Sequence, residues 1–276
     1  MKVSVIGSLV KPRFLCGSTF FLALLVSQSP AQNFLGFDRN DYPGDANLKV
    51  LHQTFSYSGY WLNNPPGEKT NTWTGKRPAL ESAGFGFLVL FNGRLYKELK
   101  HNPAALGQSD GQAAALAAGR EGFPKHTIVF LDIEEGGRML AEQKAYIYAW
   151  VDAVTDAGFR AGVYCSGIPA NEDKTTIVTA DDIHATAGGR EIIYWVTNDV
   201  CPPSPGCAFS ALAPSQSGVS FADIWQFAQS PRRADFAAMC RNYNRDRNCY
   251  PPGIDRASRL HVDLNTSKTA DPSQGR

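Results

Sequence analysis

The sequence predicts an α/β fold, a (β/α)8 TIM-type barrel with room for irregularity in its last strands. Three observations lead there. Eight strand candidates follow one another, mostly with helical segments between them. The strongest of them, Thr127 to Ile133, is continuously apolar and rich in β-branched residues, as a parallel strand buried on both faces must be. Setting aside the first 31 residues leaves 245, close to the roughly 250 that one such barrel needs.

The elements read in order. Phe34-Leu-Gly-Phe-Asp38 is a short apolar run ending in an acid, and a helix is expected from about Asp45, with Leu48 and Leu51 on one face. Thr54 to Leu62, rich in aromatics, is the second strand. A loop of Pro, Gly and Asn from Asn63 to Thr74 and a short helix lead to the third, Phe85 to Phe91. Ser109 to Gly122 is Ala-rich and helical by propensity. After the fourth strand, Arg138 to Ala157 places Leu140, Ile147, Trp150, Val151 and Val154 on one helical stripe, closed by Gly158 as a cap. Ala161 to Cys165, Glu191 to Val196, Ala222 to Phe227 and Leu260 to Leu264 complete the eight. A doubly wound open sheet is the rival architecture. It finds no Gly-rich phosphate loop after any early strand, since Gly36-Phe-Asp-Arg lacks the dinucleotide spacing.

The first 31 residues read as a secretory signal peptide. Lys2, Lys11 and Arg13 precede the apolar run Phe14 to Val26, and Ser29-Pro30-Ala31 offers a small-residue cleavage site. A membrane anchor is the competing reading, but a span wants roughly 20 apolar residues and Gly17, Ser18 and Thr19 interrupt this one. The expected organisation is a leader at 1–31, one barrel domain at 32–268 and a flexible C-terminal tail at 269–276. The protein is then secreted, or held in the periplasm or cell envelope, with no membrane span after cleavage.

Without the leader the chain carries 24 basic and 26 acidic side chains. That balance excludes nucleic acid and an anionic membrane as natural partners and suits an uncharged polysaccharide backbone. Five cysteines remain, as export allows. Sequence alone does not fix their connectivity, but the two short loops suggest Cys201 with Cys207 and Cys240 with Cys249. Cys165, within the apolar run Ala161 to Cys165, is expected to be a buried core thiol rather than a nucleophile.

Barrel enzymes work at the C-terminal ends of their strands. The acids there are Asp38 on the first strand, Asp132 and Glu134 on the fourth, Asp199 after the sixth and Asp263 in the eighth. The period of two puts Asp132 and Glu134 on one side of the strand, with Ile133 and Glu135 on the other. Two carboxyls on one face disfavour each other's ionisation, so one can hold a proton for a leaving oxygen, the device that glycoside hydrolysis requires. Against this stands a solvated pair at a loop start, which is commoner for a lone D-x-E. Tyr60, Trp61, Tyr164, Trp195 and Trp225 lie in or just after strands, where rings can stack on sugars or simply pack the core. Trp195 and Trp225-Gln226 are expected at the mouth. The five histidines show no paired-ligand spacing, so no metal is expected, and no cofactor motif occurs. No nucleophile elbow is present, and the Ser166 context has the wrong spacing.

Six ordered motifs, Gly36-Phe37-Asp38, Leu131-Asp132-Ile133-Glu134, Gly162-Val-Tyr164, Tyr194-Trp195, Ile224-Trp225-Gln226 and Val262-Asp263-Leu264-Asn265, together resemble the family 25 glycoside hydrolases. Those are lysozyme-type muramidases on a (β/α)8-like barrel. The pattern is more closely similar to the secreted glycoside-hydrolase-like domain family of unknown function related to them, which shares the Ala-rich helix and the approach Gly107 through Gly122-Phe123-Pro124. The resemblance spans about Phe34 to Asn265. It implies Glu134 as proton donor, Asp132 in a neighbouring-group or stabilising role, and Asp38 and Asp263 holding the sugar or the acid pair. It also implies a sixth-strand acid, for which only Asp199 stands, slightly late. The implied partner is a polysaccharide such as peptidoglycan, cleaved with acid assistance. Asp263, Tyr60, Tyr164, Trp195, Asp199, Trp225 and Gln226 are the expected substrate-binding residues beside the catalytic Glu134, Asp132 and Asp38, and the rival from another class is a non-catalytic glycan-binding barrel that keeps the cleft and its aromatics.

Overall fold

Eight strands close into a barrel in which the last in sequence lies between the first and the seventh. The structure, a computed structural model, describes residues 1–4, 7–8, 32–240 and 242–276, and residues 32–276 form one unit. The predicted leader lies for the most part outside the described residues. The barrel strands are β1 (Phe34–Asp38), β2 (Tyr57–Trp61), β3 (Gly86–Asn92), β4 (Ile128–Asp132), β5 (Arg160–Ser166), β8 (Ile193–Thr197), β9 (Ile224–Ala228) and β10 (Asp263–Ser267). Each of the eight expected strands is there. Between them run α1 (Asp45–Leu51), α2 (Arg77–Ser82), α3 (Pro103–Arg120), α4 (Ala141–Asp156) and α5 (Thr179–Ala185). A small hairpin of β6 (Ala170–Glu172) and β7 (Thr175–Ile177), unforeseen in the sequence, precedes α5.

Seven strands pair in parallel, but β10 runs antiparallel to both β1 and β9. That reversal sets Asp263 opposite Asp38. The N-terminal end of the last strand therefore lies at the same mouth as the C-terminal ends of the others.

Glycines make room inside the barrel. A Cβ on Gly36 would collide with the Tyr57 ring, and one on Gly162 with the Phe130 ring. Two bulky aromatics thus fill the interior because the facing strand positions carry no side chain, an alternation of large and small that packs a barrel layer. Gly59 serves the mouth in the same way, since its Cβ would stand 2.7 Å from that of Asp38. Outside, α3 lies against α4 through Gly107 and Gly111, where a Cβ would run into the carbonyls of Tyr146 and Trp150. On α4, Ile147, Trp150, Val151 and Val154 are buried as expected, whereas Leu140 precedes the helix and is 45% exposed. Gly158 ends the helix with φ 82°, a left-handed turn glycine enters without strain.

The C-terminal residues depart from the expected flexible tail. Ser273 accepts a hydrogen bond from Val89 N at its Oγ and gives its backbone N–H to Phe87 O, while its carbonyl takes Ile128 N–H at 2.7 Å. Residues 271–273 thus wedge between the starts of β3 and β4, satisfying strand donors that no neighbouring strand reaches.

The helical pattern stops after β8. The β8–β9 loop, 198–223, and the β9–β10 loop, 229–262, hold only short turns and α6 (Ala234–Ala237). Disulfides Cys201–Cys240 and Cys207–Cys249, each with Cα atoms 5.3 Å apart, join one loop to the other. The expected local staples are therefore wrong. The two loops leave adjacent strands at the same end of the barrel, so cysteines distant in sequence face each other. Cys165 is free and buried in the core, as expected, and burial pushes its thiol well up.

Candidate active site

Asp38, Asp132, Glu134 and Asp263 line one pocket of about 140 Å³ at the barrel mouth, with Trp61, Leu90, Tyr164, Trp195, Gln226 and Gln229 among its walls. The convergence follows from strand parity. On β4 the inward positions are Phe130, Asp132 and, just beyond the strand, Glu134. Glu135 points outward and accepts from Tyr96 N and Gln143 Nε2, both at 2.8 Å, which ties the loop after β4 to its neighbours.

Asp132 is buried, while Glu134 is exposed to solvent in the mouth. Neither oxygen of Asp132 meets a conventional donor among the described residues. Of the charged groups around it, Glu134 acts on it most strongly. Two carboxyls placed in this way disfavour each other's ionisation. Burial, then the Glu134 and Asp38 charges, hold the Asp132 carboxyl well above the usual carboxylate range. Burial also raises Glu134, with the hydrogen bond to Asp132 working the other way. The pair titrates as a unit and retains a proton to a higher pH than a lone carboxyl would.

Asp38 is held by two side-chain amides. Its Oδ1 accepts from Asn265 Nδ2 at 2.6 Å and from Gln226 Nε2 at 3.0 Å. Burial raises its carboxyl above the usual range, and these two amides offset only part of the rise. Each amide is aimed by another side chain. Tyr164 OH donates to Gln226 Oε1 at 2.7 Å, and Trp195 Nε1 donates to Asn265 Oδ1 at 2.9 Å. Asp263 accepts from Ser230 N at 2.6 Å, and burial with the nearby Asp38 charge keeps it well above the ordinary range. Gln226 Nε2 also reaches Asp263 Oδ2 at 3.4 Å, bridging the two aspartates. A larger lobe of about 310 Å³ adjoins the pocket through Pro66, Asp132 and Glu134, and carries Arg94 and Lys97. Among the described residues no group of His, Cys, Asp and Glu has the arrangement of a metal site.

The Rv2525c-like, glycoside hydrolase-like domain model matches residues 59–202, just over half of the chain. The chain belongs to this family. Its fold is shared by an uncharacterized protein of B. stearothermophilus, at TM-score 0.53 and 19% identity over 84% of this chain and 94% of that one. The Tat-secreted protein Rv2525c of Mycobacterium tuberculosis matches at TM-score 0.52 and 12% identity, over 89% of this chain and 98% of the other. No curated protein sequence matches it. As a member of the Rv2525c-like family the chain carries a glycoside hydrolase-like domain, and the resemblance drawn from its six motifs stands.

Within this glycoside hydrolase-like barrel, the structure brings Asp38, Asp132, Glu134, Tyr164, Trp195, Gln226 and Asp263 together at the pocket. Three expected residues lie elsewhere. Tyr60 points away from the barrel interior into a cluster with Trp73, Phe87 and Phe123, and its hydroxyl donates to Glu121. Its neighbour Trp61 lines the pocket instead, with Nε1 donating to Arg39 O at 3.1 Å. Trp225 is fully buried on the outer face of β9 and donates to Asn198 O. Asp199 is buried and paired with Arg232 and Arg233 within the disulfide-linked loops, so no acid of β8 reaches the pocket. Asn265 and Gln229 are site residues the sequence reading passed over. Asn265 was legible as the i+2 neighbour of Asp263, whereas Gln229 lies beyond its strand, where parity gives no signal.

Proposed function

We propose that the protein is an exported glycoside hydrolase that cleaves a cell-wall polysaccharide such as peptidoglycan with Glu134 as the acid. The observation that carries this reading is the convergence of four carboxyls in one open pocket, the solvent-reachable Glu134 backed by the buried Asp132.

Glu134 gives its proton to the glycosidic oxygen as the bond to the anomeric carbon breaks, and the water that adds to that carbon returns a proton to the Glu134 carboxylate. The carboxylate left behind accepts a hydrogen bond from Asp132, which keeps its own proton, and the new charge is spread over the pair. Asp38, steadied by Gln226 and Asn265, faces the positive charge that grows on the sugar ring, and these donors need no rearrangement at that moment. Trp61 and Trp195 supply apolar walls for the ring. Export is supported by the leader pattern of 1–31 and by the two disulfides. No helix among the described residues is long and apolar enough to cross a membrane.

The test is the release of new reducing ends from purified cell-wall material. Wild type is expected to release them and Glu134→Gln to lose at least about 100-fold in rate, the lower range for a general acid. Equal, background-level release by both proteins overturns the reading. Wall binding that survives in both would then assign a glycan-binding barrel.

A further inference from the structure

The chain's charge is close to balanced overall but unevenly laid out. Residues 232–259 contain seven arginines and no lysine against three aspartates and no glutamate, while the rest of the chain after residue 31 carries 17 basic and 23 acidic side chains. Part of this basic segment forms an open concavity of about 680 Å³ walled by Asn244, Arg245, Asp246, Tyr250, Arg256 and Arg259. The three arginines are exposed, and none makes an ion pair among the described residues. The single acid, Asp246, is engaged locally, accepting from Tyr250 OH at 2.6 Å and from Asn248 N. Arg256 lies over the Tyr250 ring at 5.7 Å.

The concavity neighbours the acid pocket. Tyr250 meets His261 edge to face at 6.4 Å, and His261 stands two residues before Asp263. The segment is also held in place, because Cys240 and Cys249 anchor it to the loop after β8. A cationic surface on the loop that leads into an acidic pocket has a physical use. Four carboxyls would repel an anionic polymer arriving at the mouth, and a nearby patch of opposite sign both draws it in and holds it in register.

We propose that Arg245, Arg256 and Arg259 form an accessory site for the carboxylate or phosphate groups of an anionic polysaccharide, with Tyr250 as the ring against which a sugar lies. Guanidinium forks grip either anion in bidentate fashion. This deepens the glycan-cleaving reading by naming the charge of the substrate. It is tested by binding alone, so the two can fail separately.

The intact secreted chain is titrated with polygalacturonate, with a poly(glycerol phosphate), with neutral dextran and with duplex DNA, at about 20 and 150 mM salt. The expected result is binding to one or both anionic glycans, weakened by salt and lowered about tenfold or more by the triple variant Arg245→Gln, Arg256→Gln, Arg259→Gln. The carboxylate and phosphate arms tell the two chemistries apart. The matching triple lysine variant, which keeps the charge but not the fork, is expected to fall between wild type and the glutamine variant. Unchanged melting and intact disulfides in the glutamine variant separate loss of binding from loss of fold. Equal affinity for dextran, no effect of the triple variant, or DNA binding as tight as the glycans would each overturn the proposal. Binding without any hydrolysis by wild type would leave this site standing while removing the hydrolase.

Discussion

Replacing Gly162 by Ala tests the idea that empty strand positions create the barrel interior. The added Cβ would sit closer than 3.0 Å to the Phe130 ring, a separation real Cβ atoms essentially never show. Carbon atoms rest at roughly 3.5–4.0 Å, so the ring must retreat by about 1 Å. It has no free space to enter, being fully buried and edge-on to Trp195 at 6.1 Å between centroids. Overpacking of this kind costs about 1–3 kcal/mol. Removing glycine's excess freedom from the unfolded chain returns about 0.5–1 kcal/mol. The expected net loss is about 1 kcal/mol, which for a domain of this size lowers the melting temperature by about 2–4 °C. Gly119→Ala is the matched control. There, on the exposed face of α3, a Cβ meets nothing within 4 Å, and a gain of about 0.5–1 kcal/mol is expected. The assay is thermal and denaturant unfolding followed by circular dichroism, with Phe130→Leu combined with Gly162→Ala as the rescue. A Gly162→Ala protein as stable as wild type, or a double variant no better than the sum of its parts, would refute the reasoning.

Asp132→Asn is expected to stabilise the protein near neutral pH. The Asp132 carboxyl is held well above 3.8, so the folded state binds a proton that the unfolded chain has released. Stability is full below the unfolded value and falls as pH rises through the folded one. The melting temperature of wild type should therefore decline between pH 5 and 8 more steeply than that of Asp132→Asn, and the two should converge near pH 4. A constant difference across that range would count against a raised Asp132 carboxyl. Peptide mapping of the unreduced protein should recover Cys201 linked to Cys240 and Cys207 linked to Cys249. Opening either bridge, which spans 39 or 42 residues, should cost about 4 kcal/mol by loop entropy, read as a lower unfolding midpoint in reductant.

The seven parallel barrel strands were legible because buried parallel strands are written as apolar runs, whereas the antiparallel eighth was expected at 260–264 and lies at Asp263–Ser267. The same property hid which aromatics face inward. Every position of β2 is buried, so hydrophobicity does not alternate there, and Tyr60 is indistinguishable from Trp61 until the sheet closes. On β4 the acids supplied the missing alternation, and Asp132 and Glu134 were placed correctly relative to Glu135. The direction of β10 could not be read, since a strand does not encode its orientation in its side-chain pattern. The disulfide pairing failed for a related reason. Short sequence separation favours a bridge only if nothing holds the two cysteines closer to others, and here adjacent strands deliver both loops to one place. Asp199 suited a catalytic acid by its position after β8, but Arg232 and Arg233, more than thirty residues on, fix it as half of a buried ion pair.

The antiparallel return of β10 has a bearing on how the pocket comes into being. Asn265 reaches Asp38 across a sequence separation of 227, and Gln226 reaches it across 188. Contacts of such range form late, because the loop must close before they are gained. The pocket is thus a seam sewn by the two ends of the domain. A fragment limited to 59–202 would hold Asp132 and Glu134 yet lack Asp38, Gln226, Asp263 and Asn265. In a refolding experiment, ligand binding should be the last signal to recover.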